Sequence, residues 1–566
     1  MDLCSPEDIS PPATPPNFNF SSSSSTNTTP LPTHLRNALK NSTNRPTQRL
    51  RTSFCETSLQ EYNFDEDQLS HLRQLKQSFQ QLTPEQKQFF LHEIINSCDN
   101  SQLTYLNSLI APRLKIDFLK ELPIEISLHI LTFIDDPKTL ARAATVSTLW
   151  NSLLKDEATW KSLCMKHQYR RRNSSICGGE LLEPPSQRRN FSYREYFKRK
   201  YNIASAWAHG GKVKVVEDGF GDGLVTSLQY DEKYIVVGCD NHRIEVFDTN
   251  TAKKVRTLEG HEGGVWALQF KGGEKHDPER ILVTGGCDRD VRVWNLNTGE
   301  LRHVLRGHNS TVRCLKMKDK RIAVTGSRDT TMRVWDIQRG TCVHLLLGHQ
   351  ASVRCMEISG NMVVSGSYDS TARIWDLRTG RCLHVLAGHY TQIYAIAFDG
   401  HKVVTGSLDS NIRVWSAETG QCLATLHGHT SLVGQLQLSG STLVSGGSDG
   451  CLRVWDLQHY ECIQQISAHD NSVTCLQFDD RRMLSAGNDG RIKLWDIKQG
   501  RLIRSFTQLA KTVWKIQFSE TKAVVLMQRR RSSSSDEGKT VMEVHDFDVE
   551  ELDDYSPNSL EMTIDT

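Results

Sequence analysis

The sequence of 566 residues has almost no net charge, with 68 basic against 66 acidic residues. That balance excludes a global field of the kind that draws a protein to nucleic acid or a membrane, and leaves charge-driven binding to a local cluster. No apolar run approaches the length of about 18 residues that a transmembrane helix requires. The start, MDLCSPEDISPP, lacks a basic segment followed by an apolar core, so no secretory signal is expected. The 15 cysteines, an odd number without a signal, read as reduced thiols of the cytosol or nucleus. Four of them, Cys342, Cys382, Cys422 and Cys462, recur every 40 residues, far from the close ligand spacing of a zinc site. They read as one structural position repeated, and neither a metal nor a cofactor is expected.

What is present changes character along the chain. Residues 1–65 are rich in Ser, Thr, Pro and Asn, with SPPATPP and five serines from Ser21. Too little apolar surface exists there to offset ordering entropy, so a disordered tail is expected, and residues 551–566 form a second tail. Ser5, Ser10 and Thr14 each precede proline and are either phosphorylation sites or plain linker. Residues 66–113 turn helical: Leu69, Leu72, Leu75, Phe79 and Leu82 fall at three- and four-residue steps, and Thr83-Pro84-Glu85-Gln86 is a capping box. A second helical group spans 114–165, where Leu122, Ile126, Ile130, Leu131 and Phe133 give a wide apolar face and Pro123 and Pro137 mark helix starts. Residues 166–206, including YREYFKRKYN, read as a helical linker.

From 207 to 550 short β-rich runs punctuated by Gly, Asp and Ser take over, and they repeat. Gly-His pairs place His261, His308, His349, His389, His429 and His469, with an insertion around GGEKHDPER lengthening the first interval. Asp288, Asp329, Asp369, Asp409, Asp449 and Asp489 follow, and six residues after each stands Trp294, Trp335, Trp375, Trp415, Trp455 or Trp495. This grammar resembles the WD repeat, which implies an all-β propeller with four strands per blade. The resemblance implies a buried hydrogen-bonded set of His, Asp, Trp and a strand hydroxyl, such as Ser327 or Ser367. A catalytic His-Asp pair occurs once, whereas this one occurs six times, so the pairs are structural and no enzyme is expected. Two degenerate repeats, one with Asp240 in the turn, Phe247 in place of Trp and Gly221 in place of His, the other with Leu509 at the His position, bring the count to eight blades, or seven if the last stays incomplete.

Comparing the repeats with one another locates a candidate site. Five residues after the histidine stand Trp266, Arg313, Arg354, Tyr394, Gly434 and Thr474; before the turn Asp stand Cys287, Arg328, Tyr368, Leu408, Ser448 and Asn488. Neither position is constant, so the blade does not require either. Arg313, Arg328 and Arg354 fall on adjacent repeats and should converge at one side of the channel mouth. Three like charges in a partly desolvated spot favour a doubly charged, bidentate acceptor, which a phosphoserine or phosphothreonine supplies. Trp266, Tyr368 and Tyr394 offer apolar contact to flanking residues. The bland alternative is three solvated rim arginines, and nucleic acid would need a longer basic track.

Leu122-Pro123, Glu125-Ile126, Ile130-Leu131, Ala143-Ala144, Val146 and Trp150, then Trp160, resemble an F-box. With the repeats behind it, the stretch 66–548 is similar to the F-box/WD-repeat substrate receptors of SCF ubiquitin ligases, of the cell-division-control type that reads phosphodegrons. The resemblance implies a multidomain chain, all-α and then all-β, and a non-catalytic role in directing phosphorylated targets to ubiquitination and degradation. It implies phosphate contacts by Arg313, Arg328 and Arg354, with Trp266, Arg289, Ser310, Thr311, Tyr368 and Tyr394 around them and Arg529 as an extra contact of unsettled register. It implies docking of Leu122, Pro123, Ile126, Ile130, Leu131, Val146 and Trp150 on a Skp-type adaptor and through it a cullin–RING module, and a homodimer through 66–113. No membrane or nucleic-acid partner is expected. Cys98 and Cys164 lack an activating neighbour in the sequence, which leaves no catalytic thiol. Lys198-Arg199-Lys200 and Arg529-Arg530-Arg531 permit nuclear import, and nucleus and cytoplasm are the expected compartments, the nucleus favoured. The competing reading is a non-degradative WD-repeat scaffold.

Overall fold

The computed structural model describes residues 65–114, 117–169, 192–220, 223–274, 277–506, 510–529 and 538–548. The expected tails lie outside the described residues except for Asp65, as do residues 170–191 of the linker, Gly221 and Leu509. The chain divides into two compact units between Phe197 and Lys198.

The first unit is helical. Helices Glu66–Gln81, Pro84–Asn96 and Asn100–Leu114 come first. The capping box forms as read: the Thr83 side chain accepts from the Gln86 N–H, and the Gln86 side chain accepts from the Thr83 N–H at 3.0 Å. No residue of the first two helices is buried, so Leu75, Phe89, Leu91 and Ile95 stand in solvent. Five short helices follow, Phe118–Glu121, Ile124–Thr132, Pro137–Ala143, Thr148–Leu153 and Glu157–Lys166. Three are started by side chains that accept orphan N–H groups: Asp136 from Lys138 and Thr139, Ser147 from Trp150, and Asp156 from Ala158. Their core is Leu119, Leu131, Leu140, Leu153, Leu163 and Trp160.

The second unit holds eight four-stranded antiparallel sheets. Blades 1 to 7 cover 225–258, 265–305, 312–346, 353–387, 393–426, 433–467 and 473–505 in order. Blade 8 takes three strands from the end of the chain, Thr512–Phe518, Lys522–Arg529 and Lys539–Asp546, and its fourth from the beginning, Lys212–Val216. The register Lys212↔Asp546 to Val216↔Met542 locks the two ends together, so the eighth blade is complete. Each blade's innermost strand neighbours that of the next, and blade 8's neighbours blade 1's, closing the ring.

Closure follows from where the apolar surface lies. A blade's inner strands, such as Tyr234–Cys239, are buried on both faces and read as continuous apolar runs. Each hydrophobic cluster joins two neighbouring sheets; Val283 and Val293 of blade 2, for example, pack with Leu315 and Trp335 of blade 3. No sheet can bury both its faces alone, and a ring leaves neither face open. Helix Tyr193–His209 runs past the expected linker boundary at 206, because its Ile203, Ala206 and Trp207 belong to the core between blades 7 and 8. Trp207 stacks on Phe547 at 3.9 Å and donates to the Glu520 carbonyl at 2.9 Å.

Candidate functional site

The repeated histidines are consumed by structure. In blade 3, His308 Nδ1 lies 2.9 Å from the Asp329 carboxylate and its Nε2 lies 2.8 Å from Thr325 Oγ1, which accepts from Trp335 Nε1 at 2.8 Å. An indole can only donate and a carboxylate only accept, so the protons run one way: Trp335 to Thr325, Thr325 to His308, His308 to Asp329. The same relay recurs through Thr284, Ser365, Thr405, Ser445 and Ser485. The hydroxyl is therefore Thr325 or Ser365, a correction to the expectation of Ser327 or Ser367. Those two sit two residues further on, at the strand end. Ser327 donates to the Ser310 carbonyl and accepts from the Asp329 N–H, and Ser367 does the same with Ala351 and Asp369.

The relays hold the turns that carry the variable positions. In every blade the innermost strand starts with a β-bulge, and the extra residue is the one five after the histidine: Trp266, Arg313, Arg354, Tyr394, Gly434 or Thr474. A bulged residue has no partner across the strand pair, so its side chain is free to be re-aimed. The residue before the turn Asp is tied beside it, its N–H bonded to the carbonyl two residues ahead of the bulge: Arg328 to Thr311 at 2.9 Å, Tyr368 to Ser352 at 3.0 Å and Cys287 to Gly264 at 2.9 Å. The two variable positions thus line the same end of each blade.

The degenerate blades have the same framework without the histidine. Thr226 and Trp514 are their bulged residues. In blade 1, Cys239 pairs with Val225 as Ser327 pairs with Val312, and the Asp240 N–H bonds to the Leu224 carbonyl. Asp240 is therefore the counterpart of Arg328, a correction to its reading as the turn Asp, and Asn241 takes the turn position by accepting from the Arg243 N–H. Thr226 and Trp514 escape the sequence comparison, and Asp240 falls one residue off in it, because the Gly-His marker is absent there; the register places all three.

Blades 2 to 5 build one continuous site. The Arg313 guanidinium lies over the Trp266 ring at 4.4 Å, and the Trp266 indole donates to Cys287 Sγ at 2.9 Å. The rings of Tyr368 and Tyr394 stand 5.2 Å apart. Burial, then the charges of Arg354 and Arg328, hold Arg313 below the ordinary arginine value, so the three arginines feel one another. Burial, then its hydrogen bond with Tyr368, raises Tyr394, while Arg354 pulls it down. Among the described residues, none of the three arginines forms an ion pair. Arg313 and Arg354 are half-buried, Arg328 is exposed, and Trp266 is 38% exposed. The cluster is charged, unneutralised and reachable, which suits an anion that accepts forked hydrogen bonds.

Around it, exposed Arg289 occupies a turn position at φ +67°, where the corresponding turns carry Thr330, Ser370, Ser410, Gly450 and Gly490. Ser310 and Thr311 are half-buried and use their carbonyls to hold Ser327 and Arg328. Arg529 ends its strand in blade 8 paired with the buried Glu543 carboxylate, which removes it as an additional free contact.

Of the residues expected to meet an adaptor, Leu122, Pro123, Ile126 and Val146 are exposed, and Ile130 is half-buried. Trp150 is half-buried, donating to Asp117 at 2.9 Å. Leu131 is corrected: at 2% exposure it belongs to the unit's own core. Cys342, Cys382, Cys422 and Cys462 sit on the exposed outer strands of four separate blades, one position repeated. Burial pushes the Cys164 thiol up to about 11, the opposite of what a thiolate nucleophile needs. In the first basic stretch, Arg199 is paired with Asp548 and Lys200 with Glu520.

Known proteins share this layout. The F-box-like family model matches residues 119–166, and the WD domain, G-beta repeat model matches 252–295, 299–336, 340–376, 380–416, 420–456 and 460–496. Each matched repeat joins one blade's outer strand to the inner three of the next, the same stagger that closes the ring. Cell division control protein 4 of Saccharomyces cerevisiae is 33% identical over 40% of this chain and 29% of that protein. The probable E3 ubiquitin ligase complex SCF subunit sconB of Talaromyces stipitatus is 28% identical over 42% of this chain and 37% of its own. Among solved structures, the computationally designed Ika8 protein aligns with a TM-score of 0.51 and 34% identity, covering 57% of this chain and 96% of that one. The chain spans about a third of the length of the curated relatives it matches.

Proposed function

Because the chain is an F-box/WD-repeat protein, with the F-box-like segment at 119–166 and the repeats at 252–496, we propose that it is the substrate-binding subunit of an SCF-type ubiquitin ligase. Its propeller binds phosphorylated Ser/Thr-Pro segments of target proteins, among them cell-cycle or transcription regulators. The observation that carries this reading is the unneutralised group Arg313, Arg328 and Arg354, gathered from two adjacent blades and flanked by Trp266, Tyr368 and Tyr394. A phosphoryl group of about −1.5 to −2 charge relieves the repulsion among these arginines and accepts their forked donors, while the aromatic rings cover the flanking residues.

The exposed Leu122, Pro123, Ile126 and Val146 are the contacts for a Skp-type adaptor, since an apolar face of this kind is a liability if left open. Ubiquitin transfer takes place on the associated cullin–RING module and its charged E2, and this chain contributes recognition alone. The solvent-facing apolar residues of the 66–113 region, from Leu72 to Ile110, support a homodimer, which presents two readers to a multiply phosphorylated target. The test has two arms. A doubly phosphorylated Ser/Thr-Pro peptide and its unphosphorylated counterpart are titrated against the full chain, and the chain is co-expressed with a Skp-type adaptor. Phosphate-dependent binding and co-purification are expected; equal affinity for the two peptides contradicts the site, and failure to co-purify favours a non-degradative scaffold.

A further inference from the structure

The arginine site has a candidate occupant in the chain itself. Among residues 1–35 there is no Lys or Arg, while Asp2, Glu7 and Asp8 are acidic. Within that stretch the sequence Ile9-Ser10-Pro11-Pro12-Ala13-Thr14-Pro15-Pro16 carries two hydroxyls, each followed by two prolines. We propose that this segment, once phosphorylated on Ser10 and Thr14, occupies the Arg313–Arg328–Arg354 site of its own chain and competes with external targets. The proposal rests on the phosphopeptide reading above and adds the occupant.

Three features of the chain favour this occupant. Charge is the first: an acidic, base-free segment complements a cluster of guanidiniums that has no carboxylate partner among the described residues. Spacing is the second. Proline fixes φ near −65°, so a segment with four prolines among residues 11–16 would dock extended and lose less entropy in doing so. With a rise of about 3.1 Å per residue, phosphates on Ser10 and Thr14 would stand about 12 Å apart. One would reach the three clustered arginines, leaving the other for the exposed Arg289 of the neighbouring blade. Ile9, just ahead of the first phosphate, suits the exposed Trp266 ring. Reach is the third. About 50 residues separate Thr14 from the first helix, roughly 170 Å when extended. A compact unit of the propeller's length has a radius of gyration of about 20 Å.

The covalent step needs a proline-directed protein kinase. It transfers the γ-phosphoryl group of ATP to Ser10 Oγ and Thr14 Oγ1, each hydroxyl losing its proton and ADP leaving. Tethering then does the rest: at an effective concentration of about 1 mM, a tail that binds at roughly 0.1 mM raises the apparent Kd for a competitor about tenfold.

The experiment uses the full chain before and after treatment with a proline-directed kinase and ATP. The probe is a fluorescent peptide bearing two phosphorylated Ser/Thr-Pro sites, followed by anisotropy. Kinase treatment is expected to weaken probe binding about tenfold, and the Ser10→Ala/Thr14→Ala chain, treated identically, is expected to keep its original affinity even with Ser5, Thr29 and other sites phosphorylated. Unchanged affinity after stoichiometric phosphorylation of Ser10 and Thr14 overturns the inference while leaving the site intact. A probe that binds no form of the chain overturns the phosphopeptide reading, and this inference with it.

Discussion

Replacing Thr325 with valine isolates one link of the buried relay. Valine has nearly the shape of threonine, and Thr325 is fully buried in a strand, so neither cavity nor strand preference changes much. Only the hydroxyl is lost. It stands 2.8 Å from both the His308 ring and the Trp335 indole, and both become unpaired, each at under 6% exposure. An orphaned buried polar group costs about 1–3 kcal/mol, so the two together should cost about 2–6 kcal/mol. The assay is urea unfolding followed by tryptophan fluorescence, comparing midpoints at constant slope. Thr425→Val is the control: that residue is half-buried on the outer strand of blade 5, its side chain makes no hydrogen bond among the described residues, and the change should stay within about 0.5 kcal/mol of the parent. If Thr325→Val is as mild as the control, the relay does not hold the blade and its directional proton scheme is wrong.

Acid should unfold the propeller through the same relays. Burial holds His389, His429 and His469 below the ordinary histidine value, against the pull of their carboxylate partners. Burial pushes Asp409, Asp449 and Asp489 up, but hydrogen bonds from the histidines and nearby backbone N–H groups outweigh it and leave them low. Depressed values in the folded state mean that the unfolded chain takes up protons more readily, so stability is full above pH 6.5 and falls below it, then falls again below 3.8; thermal melts from pH 8 to 3 should show both declines, and a flat profile would contradict them. Val544→Asp buries an unpaired carboxylate between blades 8 and 1, and it should open the ring and expose both ends of the propeller to limited proteolysis. Ile126→Glu, at a site 48% exposed, should leave the melting temperature near its parent value and abolish adaptor co-purification, whereas Leu131→Ala, at 2% exposure, should cost about 2–5 kcal/mol.

Much of this architecture was legible because its markers are chemical rather than statistical. The His–Asp–Trp spacing counts six blades unaided, and the variable positions stand out against that frame. The Arg313, Arg328 and Arg354 positions emerged from comparing one repeat with another, and the structure explains the variability: one position is the unpaired residue of a bulge, and the other is tied beside it by a single backbone hydrogen bond. Where the reading slipped, two residues met the same local rule. Thr325 and Ser327, or Ser365 and Ser367, are both hydroxylated and both on one face of a strand with a period of two, so only the position of the indole distinguishes them. Asp240 was placed one residue off because its blade has no histidine to mark the turn. The insertion after Arg529 hid its pairing with Glu543. Leu131 could not be told from Ile126 because an apolar face that wide serves core and surface at once.

The account rests most heavily on three unneutralised arginines reading a phosphoryl group. Calorimetric titration of one doubly phosphorylated Ser/Thr-Pro peptide against the parent chain and against Arg313→Ala, Arg328→Ala and Arg354→Ala tests it directly. Each substitution is expected to cost about 2–4 kcal/mol of binding, as for charged contacts in a partly desolvated pocket, while thermal stability holds or rises as repulsion is relieved. Parent-like affinity in all three variants would contradict it.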